Sequence, residues 1–470
     1  MDSSYVDGER VPSSLQNRIP GALGTYDPAT YKWTASRDGV VRMYINLALF
    51  TPDDGTNGPR LNLIAQLEKN GTVLDGLTKC GYLRKNPAGS TYSGGFQSSL
   101  YLSIVERVKA NDVFRVIVKG EASLNKPIYL TNDMSHWTCV LSTEAYTRLS
   151  SVNTSTDVNT DAWSVVPFDT LVHQNSNPYV VFDASSHSIT VKRHGTYRLA
   201  ANVSLHSTVK RAAPEMAFRL SKKNGTTVYL VGRSACGYIR DHDGHNESSL
   251  HLTTLVSLDV SDAIEIVARR TANSGTVTLT ENQSVWTVEP ADVLYAAYTT
   301  SDTSTSYHVT DWTPVSWTSV LEKDTAILRE EDTDGTTSHT KRTVQRTGFY
   351  AFHVTLGFVL NEPSEIQRTN IICRLRRTDP ITQTSDYLIG EGKQGYIRNT
   401  QNHTTASVHL STVAFLRACD IVEVIVKKEE VGRTNDPTVT LLEDACLWIV
   451  EMLGGGGPPH EIRVMEGNPD

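Results

Sequence analysis

Three pentapeptides in this chain are near copies of one another: Cys80-Gly81-Tyr82-Leu83-Arg84, Cys236-Gly237-Tyr238-Ile239-Arg240 and Gln394-Gly395-Tyr396-Ile397-Arg398. Their glycines lie 156 and 158 residues apart. A period of that length is a whole domain present three times, because solenoid units repeat every few dozen residues. A chain of 470 residues has room for about three domains of ~150 residues, and each is large enough to bury its own core without metal or disulfide staples. The spacing places domains at residues 1–146, 147–299 and 300–453, followed by a flexible Gly/Pro tail at 454–470.

Further landmarks recur in the same order. A glycine opens an alternating strand in each copy: Gly39-Val-Val-Arg-Met-Tyr-Ile, Gly195-Thr-Tyr-Arg-Leu-Ala-Ala and Gly348-Phe-Tyr-Ala-Phe-His-Val. A second strand then runs into a turn at Asn70-Gly71 and Asn224-Gly225, where Asn-Gly supplies the positive φ angles of a tight hairpin. The third copy has Asp379-Pro380 and a longer loop instead. Asp112, Asp262 and Asp420 precede β-branched strands, where a carboxylate accepts local backbone N–H groups. Each copy closes on a tryptophan in an apolar strand: Trp137, Trp286 and Trp448. Alternation dominates over helical periodicity, which predicts sandwiches or barrels.

The spacing within the second copy is specific: Val165-Val-Pro-Phe168, Asn175, Tyr179, Phe182-Asp183, Ile189, Gly195-Thr-Tyr197-Arg-Leu, Leu258, Asp262, Ile266 and Gln283-Ser-Val-Trp286. It resembles the jelly roll of the tumour necrosis factor (TNF) superfamily, in particular the globular heads of complement. The first copy matches through Tyr26-Asp-Pro, Trp33 and Gly39, and the third least at its start, Trp312 to Glu331. The resemblance implies an all-β chain of three tandem antiparallel jelly-roll (TNF-like) sandwiches. Members of the superfamily work as threefold assemblies, so it also implies that the three copies close on one another as an intrachain pseudo-trimer. A homotrimer with each copy as one tier of a stalk is the competing arrangement.

The Ser/Thr-rich stretches Leu141 to Asp161 and Tyr298 to Asp311 read as connectors rather than core. Past Leu453, four glycines and two prolines lead to His460 and the apolar Ile462, Val464 and Met465. That pattern suits docking of the tail onto a partner surface or a sheet edge. The six cysteines show no pairing common to the copies and read as small buried side chains. Cys419 with Cys446, inside the third copy, is the one bridge left open.

No Gly-x-Ser-x-Gly elbow, phosphate loop or His-Glu-x-x-His is present, so neither a catalytic set nor a cofactor is expected. His242, Asp243, His245 and Glu247 form the one dense run of potential metal ligands. The corresponding loops of the other copies lack the carboxylates, and a solvated loop is the favoured reading. Tyr82, Tyr238 and Tyr396 are expected where sandwich meets sandwich, since aromatic rings bring much area at low entropy cost. Arg84, Arg240 and Arg398 are candidates for the same interface, as an inter-repeat charge cluster or as stems laid across a sheet. His251 and His409, with Tyr101 at the corresponding place, read as packing residues rather than acid–base groups.

A net charge of −8, from 52 acidic and 44 basic residues without a long basic block, gives no support to nucleic-acid or polybasic membrane binding. No apolar run reaches the 18 residues of a bilayer span, and the polar, acidic start argues against a Sec-type signal. The expected partners are the chain's own repeats or identical chains in a threefold assembly. A capsid or other structural protein comes next, then a surface glycan or receptor. The functional expectation is a non-enzymatic structural protein on a virion surface, as decoration, cement or spike, anchored through its termini. The alternative is an extracellular ligand- or glycan-binding module resembling complement heads.

Overall fold

The computed structural model describes residues 16–17, 23–27, 29–50, 60–84, 97–120, 129–130, 135–142, 145–175, 178–208, 212–230, 234–235, 239, 246–272, 274–307, 311–330, 339–361, 368–388, 392–398, 404–428, 438–453 and 462–466. These residues form antiparallel strands and turns, with no helix among them.

Six sheets pair into three jelly-roll sandwiches. The inner sheet of the first runs in the order Gln16–Asn17, Ile462–Glu466, His136–Leu141, Gly39–Phe50, Gln97–Val108. The second repeats that order as Thr170–Gln174, Thr147–Ser150, Val285–Pro290, Gly195–Ser207, Glu247–Leu258. The third repeats it as Ser319–Lys323, Tyr295–Thr299, Leu447–Met452, Gly348–Leu360, Thr405–Leu416. Each inner sheet faces an outer sheet of the same sandwich, and the space between holds an apolar core centred on Trp33 and Trp137, on Trp286, or on Trp317 and Trp448.

Equivalence extends to single contacts. Arg219 pairs across strands with Glu265, and Arg376 with Glu423 at 2.9 Å. The same register position in the first sandwich holds Glu68 and Arg115, the pair with its polarity reversed. The backbone N–H groups of Lys109, Asp259 and Arg417 donate to Asp112, Asp262 and Asp420. The residue before each of those aspartates (Asn111, Ser261, Cys419) is left-handed, with φ of 72°, 78° and 74°. Arg342 stands where the other cores have Trp33 and Ile189. It is fully buried, 4.3 Å from the Tyr298 ring centroid, and donates to the carbonyls of His339 and Lys341.

Several expectations need correction. The stretches read as connectors contribute to the cores: Thr147–Ser150 and Tyr295–Thr299 are inner-sheet strands, and Leu149, Val158, Tyr298 and Tyr307 are fully buried. Leu149 stands opposite Trp286, and the Tyr298 ring lies tilted against Trp448 with centroids 5.4 Å apart. Their Ser/Thr neighbours satisfy sheet hydrogen bonds, so low hydropathy there does not mean exposure. Asn70 and Gly71 both have positive φ (52° and 83°), but at Asn224-Gly225 only the glycine does (85°), in a longer turn closed by Lys222 and Thr226. Cys419 is an exposed free thiol and Cys446 a buried one, so the bridge left open between them does not form. Cys139 and Cys373 are buried free thiols.

Candidate inter-repeat interface

The long strands Gly39–Phe50, Gly195–Ser207 and Gly348–Leu360 are buried on both faces. One face, with Val41, Met43, Ile45, Leu47 and Leu49 in the first copy, fills the sandwich core. The opposite face carries Arg42, Tyr44 and Asn46, and these are buried as well. A strand face of a β-sandwich that is polar yet dry has another body against it. Here that body is the next sandwich of the same chain.

Two bidentate ion pairs cross these contacts. Arg42 Nε and Nη2 donate to the two carboxylate oxygens of Glu289 at 2.7 and 2.6 Å. Arg198 makes the same fork with Glu451, its Nε 3.1 Å from Oε1. Arg198 also lies 3.1 Å from Glu289, linking the two pairs, and Ser142 donates to Glu289. Burial alone raises the Glu289 carboxyl, but Arg42 and Arg198 more than offset it and hold it at about 2. Glu451 is likewise buried and held well below the usual carboxylate range, chiefly by Arg198.

The network continues into a hydroxyl–imidazole relay. His353 Nε2 lies 2.8 Å from Glu451 and its Nδ1 lies 2.7 Å from Ser411 Oγ. Glu451 can only accept, so we assign the proton to Nε2, leaving Nδ1 to accept from Ser411. Ser411 Oγ in turn accepts from Tyr101 of the first sandwich at 2.8 Å. His136, also of the first sandwich, reaches the Ser411 carbonyl at 2.6 Å through Nε2, while its buried Nδ1 has no hydrogen-bond partner. The register-equivalent residues Tyr101, His251 and His409 meet edge to face, with ring centroids 5.1 Å (101–251) and 5.7 Å (251–409) apart. This meeting of equivalents marks the centre of a pseudo-threefold arrangement within one chain.

Desolvation holds these imidazoles neutral. It lowers His136 to about 4 and His409 to about 3, and His251 falls well below the ordinary value, with His409 adding to the effect. His353 is lowered too, burial outweighing the attraction of Glu451. They are packing and hydrogen-bonding groups, as the sequence suggested for His251 and His409.

Strands that contain or precede the repeated pentapeptides lie along the same contacts. The strand Thr72–Arg84, which contains Tyr82 and Arg84, runs against Gly195–Ser207, Glu247–Leu258 and Val285–Pro290 of the second sandwich. Ser234–Ala235, just before the second pentapeptide, runs against the third sandwich. Gly392–Arg398, with Tyr396 and Arg398, runs against the first. Tyr238 and Arg240 lie outside the described residues. Ile239 between them is buried and bridges Ala212.

The tail strand Ile462–Glu466 pairs with His136–Leu141 on one edge, Val464 opposite Thr138 and Met465 opposite Trp137, and with Gln16–Asn17 on the other. Ile462, Val464 and Met465 therefore sit on a sheet edge of their own chain. The strand takes the place that Thr147–Ser150 and Tyr295–Thr299 hold in the other two sheets. His242, Asp243 and His245 lie outside the described residues. Glu247 opens an inner-sheet strand opposite His206. Among the described residues no group of three or more His, Cys, Asp or Glu side chains is placed to hold a metal ion.

The outer sheets of the second and third sandwiches carry matching aromatic clusters. Trp163 stacks on Tyr229 at 5.3 Å with the Arg269 guanidinium 4.5 Å from its ring centroid. Trp312 and Tyr387 are 5.9 Å apart, with Arg374 5.4 and 5.1 Å from their centroids. The register makes Trp163 equivalent to Trp312 and Tyr229 to Tyr387, whereas the guanidinium comes from different strands. Sequence reasoning missed these clusters, as it missed Arg42, Arg198, Glu289, Glu451, His136 and His353. The available signal was an arginine three residues after the repeated glycine in two copies, flanked on both sides by apolar positions of a core strand.

No protein-family model and no curated protein matches the sequence. Among solved structures the chain is similar to murine APRIL (15% identity, TM-score 0.24, 31% of this chain and 98% of that one). It is also similar to Eiger TNF from S. frugiperda (14%, 0.26, 36% and 98%) and to the globular domain of zebrafish complement 1qA protein (10%, 0.22, 31% and 97%).

Proposed function

We propose that this chain is a non-enzymatic structural protein, a preassembled single-chain threefold head that decorates, cements or spikes a virion surface. The observation that carries the structural reading is how the interface uses its reactive side chains. Arg42, Arg198, Glu289, Glu451, His136, His251 and His353 are buried against one another, half-buried His409 packs on His251, and these groups hold three sandwiches together. The virion setting rests on the combination of a covalently tethered trimer with the strands Gln16–Asn17 and Ile462–Glu466 brought side by side at one sheet. Two measurements test it. Light scattering of the native protein is expected to give a mass near 51.8 kDa, where a stalk gives three times that. The protein is expected to co-sediment with purified particles from its source, and its absence from them overturns the virion setting.

The aromatic clusters favour a second reading, an extracellular glycan-binding module. Tyr229 and Tyr387 are about half exposed and present ring faces beside a guanidinium, surfaces on which a pyranose can stack. Saturable glycan binding by the full chain, lost in Tyr229→Ala/Tyr387→Ala, supports that reading over the first.

A further inference from the structure

Each inner sheet places one residue of its long strand opposite one residue of its last strand at the same register: Arg42 with Val140, Arg198 with Glu289, Ala351 with Glu451. Across the contacts between sandwiches the partners change. Arg42 of the first meets Glu289 of the second, and Arg198 of the second meets Glu451 of the third. Ala351 of the third meets Val140 of the first in an apolar cluster with Tyr44, Val413 and Leu453. The third contact has therefore lost both halves of the ion pair, the base from one sandwich and the acid from the other, so no charge is stranded.

We propose that this ring of six positions is a specificity device that determines which sandwich face accepts which. The observed order leaves two arginines, two glutamates and one apolar pair, all matched. Reversing the order sets Arg198 against Val140 and Glu289 against Ala351, so one of the two bidentate forks is lost and this base and acid keep only their 3.1 Å contact within one sheet. Weakening the pairing of buried charges is destabilising. Three copies of the first sandwich bring three bases and no acid to the axis, and three copies of the third bring three acids and no base. Only the second, with Arg198 and Glu289, is self-complementary. This inference concerns how the head is specified and holds whatever surface the head occupies.

The test is a pair of substitutions in the full chain that transplants the apolar solution to the first contact. Glu289→Val alone strands Arg42 and is expected to lower the unfolding midpoint by several degrees. Adding Arg42→Ala removes still more atoms but also removes the stranded charge, and it is expected to recover at least half of that loss. A double variant that melts at or below Glu289→Val overturns the proposal.

Discussion

Acidification should loosen this molecule well before its carboxylates titrate. An unfolded histidine binds a proton near pH 6.5, whereas native His136 takes none until about pH 4 and His409 until about pH 3. Between those values the unfolded state carries more protons than the native one, so stability is fully present above pH 6.5 and falls as the pH falls. Each such histidine removes about 1.4 kcal/mol per pH unit. His136 and His409 alone thus remove about 5 kcal/mol between pH 6.5 and 4.5, against a total stability on the order of 5–15 kcal/mol. His251 and His353 act in the same direction. Glu289 and Glu451, held low by their arginines, add to the loss only below the ordinary carboxylate range. The assay is urea unfolding followed by tryptophan fluorescence at several values from pH 7 to 5. The expected slope is at least about 3 kcal/mol per pH unit below 6.5, the share of His136 and His409 before His251 and His353 add theirs, and His136→Gln should reduce it by about 1.4. A slope under about 0.5 kcal/mol per unit refutes the reasoning, because it requires the imidazoles to be protonated or solvated in the native state.

Three further outcomes follow from packing. Gly76 has a φ of 92°, and a Cβ there would sit 2.8 Å from Val285 of the neighbouring sandwich; Gly76→Ala should cost about 1–3 kcal/mol in chemical denaturation, and a neutral result contradicts the close approach. Val464→Pro removes a backbone donor from the strand paired with His136–Leu141. It should speed hydrogen exchange in that strand while leaving Val285–Pro290 protected, and equal exchange in both strands contradicts the pairing. Trp448→Ala empties the centre of the third core and should cost about 3–5 kcal/mol; a loss under 1 kcal/mol measured by thermal unfolding contradicts that placement.

The sandwiches were legible because their determinants are local and repeated: the glycine that opens each long strand, the aspartate turns, the closing tryptophans. The interface was legible only in outline. Alternation separates the two faces of Gly39–Phe50, but it cannot tell a polar face in water from one against a neighbour, and Arg42 looks the same in either case. Burial of Glu289 and Glu451 was hidden for a related reason. Each stands in a strand whose core-facing residues carry the apolar signal, and its partner arginine is more than 240 residues away in sequence. Thr147–Ser150 was misread because a strand of polar residues inside a sheet has the composition of a linker. The aromatic clusters are assembled from three separate strands, so no single stretch of sequence announces them.

The strand Ile462–Glu466 is separated from Leu453 by only eight residues. A segment on so short a tether is present at its own acceptor edge at an effective concentration on the order of millimolar. The same strand offered by a second molecule at micromolar concentration is therefore outcompeted roughly a thousandfold, and the clasp closes within the chain that carries it. It also lies between the first described strand, Gln16–Asn17, and His136–Leu141, so whatever displaces it unfastens Gln16–Asn17 from the sheet in the same step.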